Sequence, residues 1–306
     1  MSVLVFGSIN MDLTAYVPRL PKAGETILGN SYATVPGGKG SNQAVACARL
    51  GAETIMVGRI GNDSFGSEIL ERASAENVDM SKVFTDPDSG TGLAVISVNQ
   101  NAENSIIVIS GANMNMSGED VNRAVESLAD VSIVLLQMEV SAEANYGVIR
   151  AAKEKNIRVV FDPAPASPLP NEIYPMLDFI TPNEIETEQL IGIKPSNQNE
   201  AERAAEKLRS KGVKTVVIKM GSQGSYIEGP GIKMMVPVFK VKAVDTVACG
   251  DAFNAGLAVA LSEGKDIVDA VRWGAAAGAV AATKKGALTS MPYRDELEKL
   301  ILSQTI

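Results

Sequence analysis

The sequence contains no histidine, and this absence removes several kinds of active site. Without histidine there is no Ser-His-Asp or Cys-His machinery, and no zinc site that depends on imidazole. The two cysteines, Cys47 and Cys249, are too few for a four-cysteine metal site or a disulfide framework. A general base must therefore be Asp, Glu, Lys, Tyr or Cys. Because the chain has 36 acidic residues, an aspartate base is the default expectation.

The chain also lacks a basic surplus and a long apolar run. Its formal net charge of −8 argues against nucleic acid as the main partner. No hydrophobic stretch approaches the roughly 20 residues of a membrane helix. The N-terminal residues have neither the basic start nor the cleavage site of a signal peptide, and they are typical of a buried first strand. These features predict a cytoplasmic protein with reduced thiols.

Strand-like and helical patterns alternate through most of the 306 residues. The predicted strands are 3–9, 54–57, 131–137, 158–161, 179–181 and 215–219. The predicted helices are 40–50, 65–76, 119–129, 142–155, 184–191, 198–211, 249–264 and 266–286. This alternation predicts an α/β fold of three layers, in which a mostly parallel central sheet has helices on both faces. We expect a single domain over residues 1–306, with ligands bound outside the carboxyl ends of the strands.

Two segments depart from this alternation. Residues 13–35 and 91–110 contain no good helix and show the polar alternation of short strands. We expect them to pair as a small antiparallel sheet that projects from the main domain.

The most informative stretch is Asp-Thr-Val-Ala-Cys-Gly-Asp at 245–251, which leads into a helical run. A helix start exposes backbone N–H groups and carries partial positive charge, so it can hold a transferring phosphate. Asp251 would then stand beside that phosphate as a base. An acid in the first turn of a helix is also common for structural reasons alone. That interpretation does not explain the small residues directly before Asp251.

Two sets of polar residues lie near strand ends, and each has a structural alternative. Asn10 and Asp12 are two residues apart in a strand, at the predicted carboxyl end of the first strand, so both side chains point to one side. An amide and a carboxylate together suit a ligand with several hydroxyl groups, although they also suit a turn cap. Glu139 follows the strand 131–137 and is either a ligand or a surface acid.

A glycine-rich stretch, Gly-Gly-Lys-Gly-Ser-Asn at 37–42, lies at another predicted helix start. It is not a Walker A loop, because Gly40 stands where that motif requires Ser or Thr. The glycines would let a ligand approach the backbone closely, with Lys39 and Asn42 as hydrogen-bonding groups. The alternative is a tight loop with a solvated lysine.

Two turns in the second half of the chain complete the set of candidates. Asn183 begins a helix, where it is either an N-cap or, together with Glu186, part of a metal–phosphate assembly held through water. The glycine turn at 219–224 follows a strand, and it either cradles a nucleotide phosphate or is a tight connection.

Taken together, these motifs resemble the ribokinase family of sugar kinases, also called the PfkB family. The resemblance runs from residue 3 to about residue 293. It is carried by Gly-Ser-Ile-Asn-Met-Asp at 7–12, Gly-Gly-Lys-Gly-Ser-Asn-Gln at 37–43, Asp-Pro-Ala-Pro-Ala at 162–166, Thr-Pro-Asn-Glu at 181–184 and Asp-Thr-Val-Ala-Cys-Gly-Asp at 245–251. Several motifs in the right order are far more specific than any one of them.

The resemblance implies ATP-dependent phosphorylation of the 5-hydroxyl of D-ribose, with Asp251 as the general base. The implied anion hole consists of backbone N–H groups of Ala248, Cys249, Gly250 and Asp251. The implied sugar contacts are Asn10, Asp12, Gly38, Lys39, Gly40, Asn42, Glu139 and Asp251. The implied nucleotide contacts are Asn183, Lys219, Met220, Gly221, Ser222, Gln223, Gly224, Gly250 and Ala275. Open alternatives are 2-deoxyribose, a nucleoside or another pentose as substrate, and a non-catalytic sugar-binding protein with the same fold.

The resemblance also implies two cations and a dimer. Mg²⁺ would be held through water by Asn183 and Glu186. A potassium ion would lie beside the anion hole, at Asp245, Val247, Ala281, Lys284, Gly286 and Ser290. Segments 13–35 and 91–110 would form a lid over the site and the contact of a homodimer.

Three residues depart from the family pattern. Cys249 stands where Ala, Gly or Ser is usual, but its backbone N–H is unchanged, so we expect function to survive. A thiol at a helix start should have a lowered pKa and enhanced reactivity. Ala275 stands where a histidine near the adenine is common, and Lys219 stands where the nucleotide turn often has Thr.

Overall fold

The computed structural model describes residues 2–101 and 103–304. Its strands are β1 (Ser2–Phe6), β2 (Asn10–Tyr16), β3 (Ser31–Gly37), β4 (Glu53–Gly61), β5 (Val78–Asp86), β6 (Gly92–Val98), β7 (Asn104–Ile109), β8 (Ile133–Leu136), β9 (Arg158–Phe161), β10 (Phe179–Ile180), β11 (Thr215–Lys219), β12 (Ser225–Gly229) and β13 (Ile232–Val236). Its helices are α1 (Lys39–Arg49), α2 (Ser64–Ala75), α3 (Gly118–Ser127), α4 (Ala142–Glu154), α5 (Glu184–Ile191), α6 (Gln198–Ser210), α7 (Cys249–Ser262), α8 (Ile267–Ala282) and α9 (Arg294–Ser303).

A nine-stranded sheet forms the centre of the molecule, in the order β13-β12-β11-β10-β9-β8-β1-β4-β5. The pairs from β11 to β5 are parallel, while β12 and β13 are added antiparallel at one edge. Every residue of β1 and β8 is buried, as expected for a parallel sheet covered on both faces. The predicted mostly parallel sheet is therefore confirmed.

Helices cover both faces of this sheet and complete the three layers. Side chains alternate along β1, so that Val3 and Val5 pack in one hydrophobic core cluster while Leu4 and Phe6 pack in the other. The first cluster includes residues of α1, α2, α7, α8 and α9, and the second includes residues of α3, α4, α5 and α6. The fold is thus the predicted arrangement of helix, sheet and helix layers.

A separate four-stranded sheet, which we call the small sheet, has the order β3-β2-β6-β7. The outer pairs are antiparallel, but the central strands β2 and β6 run parallel. The expected antiparallel sheet is therefore mixed, because β2 and β6 both enter it from the large sheet. The small sheet starts at Asn10, three residues earlier than expected. Ala102, within the predicted segment 91–110, lies outside the described residues.

Some elements differ from the sequence-based expectations. Strands β5, β12 and β13 and helix α9 had no predicted counterpart. Helix α8 ends at Ala282 rather than near residue 286, because Gly286 has a positive φ of 86° and the chain turns before it. Asp266 caps α8 as expected, accepting a hydrogen bond from Asp269 N at 2.9 Å. In the described part of the chain, no helix has both the length and the apolar character to cross a membrane.

Candidate active site

The start of α7 supplies Asp251 and a set of backbone N–H groups. Ala248 is the N-cap residue, with a left-handed backbone (φ 58°), and it provides no side-chain cap. The first N–H groups of a helix have no partner within the helix, so they can donate to an anion. In this turn Cys249 N donates to Thr246 O in a long hydrogen bond of 3.4 Å. Asp251 lies in the same turn and is 4% exposed. The structure therefore places a buried carboxylate beside backbone donors.

Helix α1 begins opposite α7, and its first turn holds Asp251 in position. Asn42 Nδ2 donates to Asp251 Oδ2 at 3.0 Å, and Gln43 Nε2 donates to Asp251 Oδ1 at 3.0 Å. A Cβ on Gly40 would lie 2.6 Å from backbone atoms of Gly7 and Ser8, so only glycine lets α1 approach the end of β1 this closely. The orientation of Asp251 is thus fixed by two donors from another helix.

A buried polar chain extends from Asp251 toward the end of β11. Gln43 Nε2 also donates to Asp162 Oδ2 at 3.2 Å, and Gln43 Oε1 accepts from Gln137 Nε2 at 2.7 Å. Asp162, which follows β9, forms an ion pair with Lys219 Nζ at 3.0 Å. The described structure therefore connects the candidate base to an ammonium group through one glutamine and one aspartate.

Burial raises the pKa of Asp251 to about 6, and the charge of Asp162 adds to this effect. The charge of Lys39 and the hydrogen bonds from Asn42 and Gln43 act in the opposite direction. A carboxylate with this pKa is ionised at neutral pH and is a stronger base than a solvated aspartate.

Asn10 and Asp12 open β2 rather than close β1, which ends at Phe6, so their predicted place at the end of the first strand was wrong. Their two-residue spacing still puts both side chains on one face of β2. Burial, together with the nearby charges of Glu139 and Asp251, raises the pKa of Asp12 to about 6. Asp12 therefore lies close to both of these acids.

Glu139 and Lys39 complete this part of the cluster. Glu139 Oε2 accepts from Ser8 Oγ at 2.6 Å and from the backbone N–H of Lys39 at 3.2 Å. Burial lowers the pKa of the Lys39 ammonium, but the charges of Asp251, Glu139, Asp162 and Glu186 outweigh it and the net shift is upward. Within the described residues, Lys39 forms no ion pair with any of these acids, so its ammonium remains available to a ligand.

Asn183 and Glu186 form a complete capping box at the start of α5. Asn183 Oδ1 accepts from Glu186 N at 2.8 Å, and Glu186 Oε2 accepts from Asn183 N at 2.7 Å. Lys219 N donates to Pro182 O at 2.8 Å, which brings the end of β11 beside this box. A Cβ on Gly250 would lie 3.6 Å from Lys219 Nζ, so the Lys219 ammonium lies at the start of α7.

The turn 219–224 connects β11 and β12 and exposes Gly221, Ser222 and Gln223. Met220 is 1% exposed and packs in the second core cluster, so its side chain faces away from any ligand. Ala275 lies half-buried on α8, and its methyl group offers no hydrogen bond in place of an imidazole.

Three of the six residues of the predicted potassium site, Asp245, Val247 and Gly286, are in direct contact. The Asp245 carboxylate accepts from Val247 N at 3.0 Å and from Gly286 N at 3.0 Å. Lys284 Nζ turns away to pair with Glu296 at 2.7 Å, and buried Ser290 donates to Ala287 O at 2.7 Å. Carboxylate, carbonyl and hydroxyl oxygens are the donors that hard cations take, so these residues fit such an ion.

A divalent cation has a sparser set of protein ligands. Across the described residues, no group of three or more Asp, Glu or Cys side chains could hold a metal ion. Glu186 offers a carboxylate, but both of its oxygens already accept from Asn183, at 2.7 and 2.8 Å. Such residues fit an ion that keeps its waters and takes its other ligands from a phosphate.

The expected lowering of the Cys249 pKa was wrong. Burial raises the pKa of its thiol to about 11, and the carboxylates of Asp245 and Asp251 add to this. The pKa is raised despite the helix start, because burial and then the two negative charges disfavour the thiolate.

Sequence reasoning missed Gln43 as the donor to two carboxylates, and it missed the partnership of Asp162 with Lys219. Gln43 is the last residue of the motif at 37–43, it directly follows Asn42, and both are buried in α1. A buried glutamine among small residues was the available signal, since buried polar groups need partners.

Comparisons with known proteins agree with this arrangement. Residues 1–294 match the family described as pfkB family carbohydrate kinase. The chain is 39% identical over 295 residues to a ribokinase of Haemophilus influenzae, covering 96% of each chain. It is 34% identical over 302 residues to a deoxyribokinase of Salmonella typhi, covering 98% of this chain and 99% of that one.

A solved structure is also similar over nearly the whole length. A ribokinase of Arabidopsis thaliana, in complex with ribose and ATP, superposes with a TM-score of 0.91 at 36% identity. The match covers 98% of both chains.

Proposed function

Because the chain belongs to the pfkB family of carbohydrate kinases, we propose that it transfers the γ-phosphoryl group of ATP to the 5-hydroxyl of D-ribose. The observation that carries this proposal is the buried Asp251 at the start of α7, held by Asn42 and Gln43. The likeness to ribokinases of 36–39% identity over nearly the full length supports ribose as the sugar.

In this reaction the Asp251 carboxylate takes the proton of the sugar 5-hydroxyl. The hydroxyl oxygen attacks the γ-phosphorus, and the bond between the γ-phosphorus and the ADP oxygen breaks. Each Asp251 oxygen accepts one protein hydrogen bond and keeps a lone pair for this proton. The N–H groups of residues 248–251 stabilise charge on the transferring phosphoryl group, an interaction worth on the order of 3–4 kcal/mol per donor. General-base help is worth roughly 10²–10⁴ in rate.

The sugar is held by polar groups that keep hydrogen-bonding capacity for a ligand in the described structure. Asn42 Oδ1 is buried and has no hydrogen-bond partner there, so it can accept from a sugar hydroxyl. Asp12 and Glu139 supply carboxylate acceptors, and Lys39 supplies a donor, with Asn10, Gly38 and Gly40 lining the same position. Hydroxyl groups of a sugar take both roles, and this mixture of donors and acceptors suits them.

The triphosphate lies between the turn 219–224 and the start of α7, with Ala275 toward the base. Lys219 has a specific role in this arrangement, because its ammonium lies between the Asp162 carboxylate and the start of α7. A fixed positive charge at this position stabilises the phosphate oxygens throughout the transfer.

Acids outnumber bases around the site, so the triphosphate needs cations. Among the described residues, two ammonium groups, those of Lys39 and Lys219, face the carboxylates of Asp12, Glu139, Asp162, Glu186 and Asp251. Glu186 and Asn183 would hold Mg²⁺ through water, and Asp245 with its neighbours would hold K⁺. When bound, these ions neutralise phosphate charge.

The small sheet closes over the sugar as a lid and joins two copies of the chain as a homodimer. The last four residues of β7, Ile106, Ile107, Val108 and Ile109, are 50–62% exposed, and β7 is an edge strand. An exposed apolar edge of this kind is a partner-binding surface. Light scattering of the purified chain should give twice the chain mass.

Since the enzyme consumes ATP, we assign it to the cytoplasm.

The test of the proposed reaction is the identity of the product. The chain is incubated with ATP, Mg²⁺, K⁺ and ribose, and the product is examined by phosphorus NMR. A phosphate on the 5-oxygen couples to two protons on carbon 5, whereas a phosphate on a ring carbon couples to one. A signal without that two-proton coupling, or no sugar phosphate at all, would contradict the proposal.

A further inference from the structure

Asn113 is a buried amide outside the predicted site, and it contacts a residue of that site. It lies in a short 3₁₀ helix, Gly111–Asn115, between β7 and α3, and it is 1% exposed. Its Oδ1 accepts from Ile9 N at 2.9 Å, and its Nδ2 donates to Asn10 Oδ1 at 2.7 Å. Nδ2 also lies 3.1 Å from Ile9 O and 3.0 Å from Ser110 O.

These contacts fix which way two amides point. The backbone N–H of Ile9 can only donate, so it requires the oxygen of Asn113. The nitrogen of Asn113 then faces Asn10 and requires the oxygen of that side chain. The Asn10 Nδ2 group consequently points away from Asn113, on the face of β2 that it shares with Asp12. In the described part of the chain, no acceptor takes a hydrogen bond from this Nδ2.

The backbone at two glycines lies directly against Asn10 and Asn113. A Cβ on Gly92, the first residue of β6, would overlap both Asn10 Oδ1 and Asn113 Nδ2. A Cβ on Gly38 would lie 2.7 Å from Asn10 N. All four connections between the large and the small sheet therefore meet at Asn10, namely the start of β2, the end of β3, the start of β6 and the segment after β7.

We propose that Asn113 is a positioning residue that holds the Asn10 amide with its NH₂ group toward the sugar. This inference rests on the proposed function, because it needs a sugar hydroxyl beside Asn10. In this orientation Asn10 donates to a hydroxyl oxygen while the neighbouring Asp12 carboxylate accepts from a hydroxyl. A reversed amide would present two acceptors side by side, and one of them would lack a hydrogen-bond donor.

The first test is Asn113→Asp. The new carboxylate still accepts from Ile9 N but can no longer donate to Asn10 Oδ1, Ile9 O or Ser110 O, and the Asn10 amide reverses to offer its NH₂ group to it. We expect KM for ribose to rise about 10-fold or more while kcat stays within about 3-fold, because a mismatched hydrogen bond costs binding of the sugar. Asn122→Asp makes the same chemical change on the exposed side of α3 and should leave both constants unchanged.

A second variant guards against misfolding of the first. Asn10→Asp leaves Asn113 and its bond to Ile9 in place, and it keeps the acceptor that Asn113 needs. It replaces the NH₂ group toward the sugar with an acceptor oxygen, as reversal of the amide does, and adds a negative charge beside Asp12, so the KM defect should be at least as large. In an Asn10→Ala background, Asn113→Asp should add little to KM, since Asn113 acts through Asn10.

A panel of pentoses, each lacking one hydroxyl group, separates positioning from a structural role. The defect of Asn113→Asp should vanish for the one sugar that lacks the hydroxyl contacted by Asn10. A defect of equal size for every sugar, or one that persists in full in the Asn10→Ala background, would overturn the inference. If the wild-type chain is inactive with every pentose, the proposed function fails first and the inference with it. An active wild type with an unaffected Asn113→Asp variant removes the inference alone.

Discussion

The two sheets of this molecule differ in how completely they are buried. Every residue of β1 and β8 in the large sheet is buried, whereas every residue of β7 in the small sheet is exposed. The large sheet is therefore packed on both faces, and the network of Asp251, Gln43 and Asp162 lies beside it. The small sheet carries Asn10 and Asp12 on its inner strand β2, while its edge strand β7 is exposed. Under the proposed function, the phosphoryl-transfer chemistry lies beside the buried sheet, and the small sheet contributes part of the sugar site and the surface for assembly.

The largest expected effect concerns Asp251, in the network beside the large sheet. Asp251→Asn removes the base but keeps the shape of the side chain, so kcat should fall by at least about 10²-fold while the Kd for ribose by calorimetry changes little. Asp269→Asn, an exposed acid in the first turn of α8, is the matched control and should be unaffected. Near-normal turnover of Asp251→Asn would remove the assignment of the base.

An intermediate effect is expected at Lys219. Lys219→Gln keeps a donor for the buried Asp162 but removes the positive charge beside the start of α7, so kcat should fall by about 10-fold or more. Lys214→Gln alters a lysine of the same strand region that pairs with Asp178 at 3.3 Å and is 62% exposed, so it serves as the control. An unchanged kcat in Lys219→Gln would show that its ammonium does not act on the phosphate.

The smallest effect is a shift in pH dependence that involves both sheets. The pKa of Asp251 and that of Asp12 are both raised to about 6, so kcat/KM for ribose should fall as the pH drops through about 6 and these acids gain protons. The charge of Lys39 holds the pKa of Asp251 down, so Lys39→Met should move the fall of kcat/KM to higher pH. Lys82→Met, at a partly exposed ion pair, should leave it in place. If kcat/KM of Lys39→Met falls at the same pH as that of the wild type, the coupling between Lys39 and Asp251 is contradicted.

The sequence predicted the large sheet well because its strands are short apolar runs between helices. Strand 158–161 and helix 184–191 have the predicted bounds. The strands without a prediction carry other patterns. Strand β5 mixes polar and apolar residues at the sheet edge, and β12 and β13 form a hairpin. The parallel pairing of β2 and β6 joins residues some 80 positions apart, which no local pattern encodes.

Within the site, local motifs located Asp251, Lys39 and Asn42, but not the contacts between them. Gln43 and Asp251 are separated by 208 positions, and Asn113 and Asn10 by 103. Such hydrogen bonds depend on the packing of whole elements, so they follow from the fold and not from spacing. Cys249 shows the same limit, because its pKa depends on burial and on Asp245 as well as on the helix start.

The measurement that tests the central claim most directly is ADP release by the wild-type chain with ATP and each of two sugars, ribose and 2-deoxyribose, against a reaction without sugar. The account predicts sugar-dependent ADP release with kcat/KM for ribose at least about 10-fold above that for 2-deoxyribose, since an unpaired polar group in the site penalises the sugar that lacks a hydroxyl. Equal or reversed preference, or ADP release that does not depend on sugar, would contradict it.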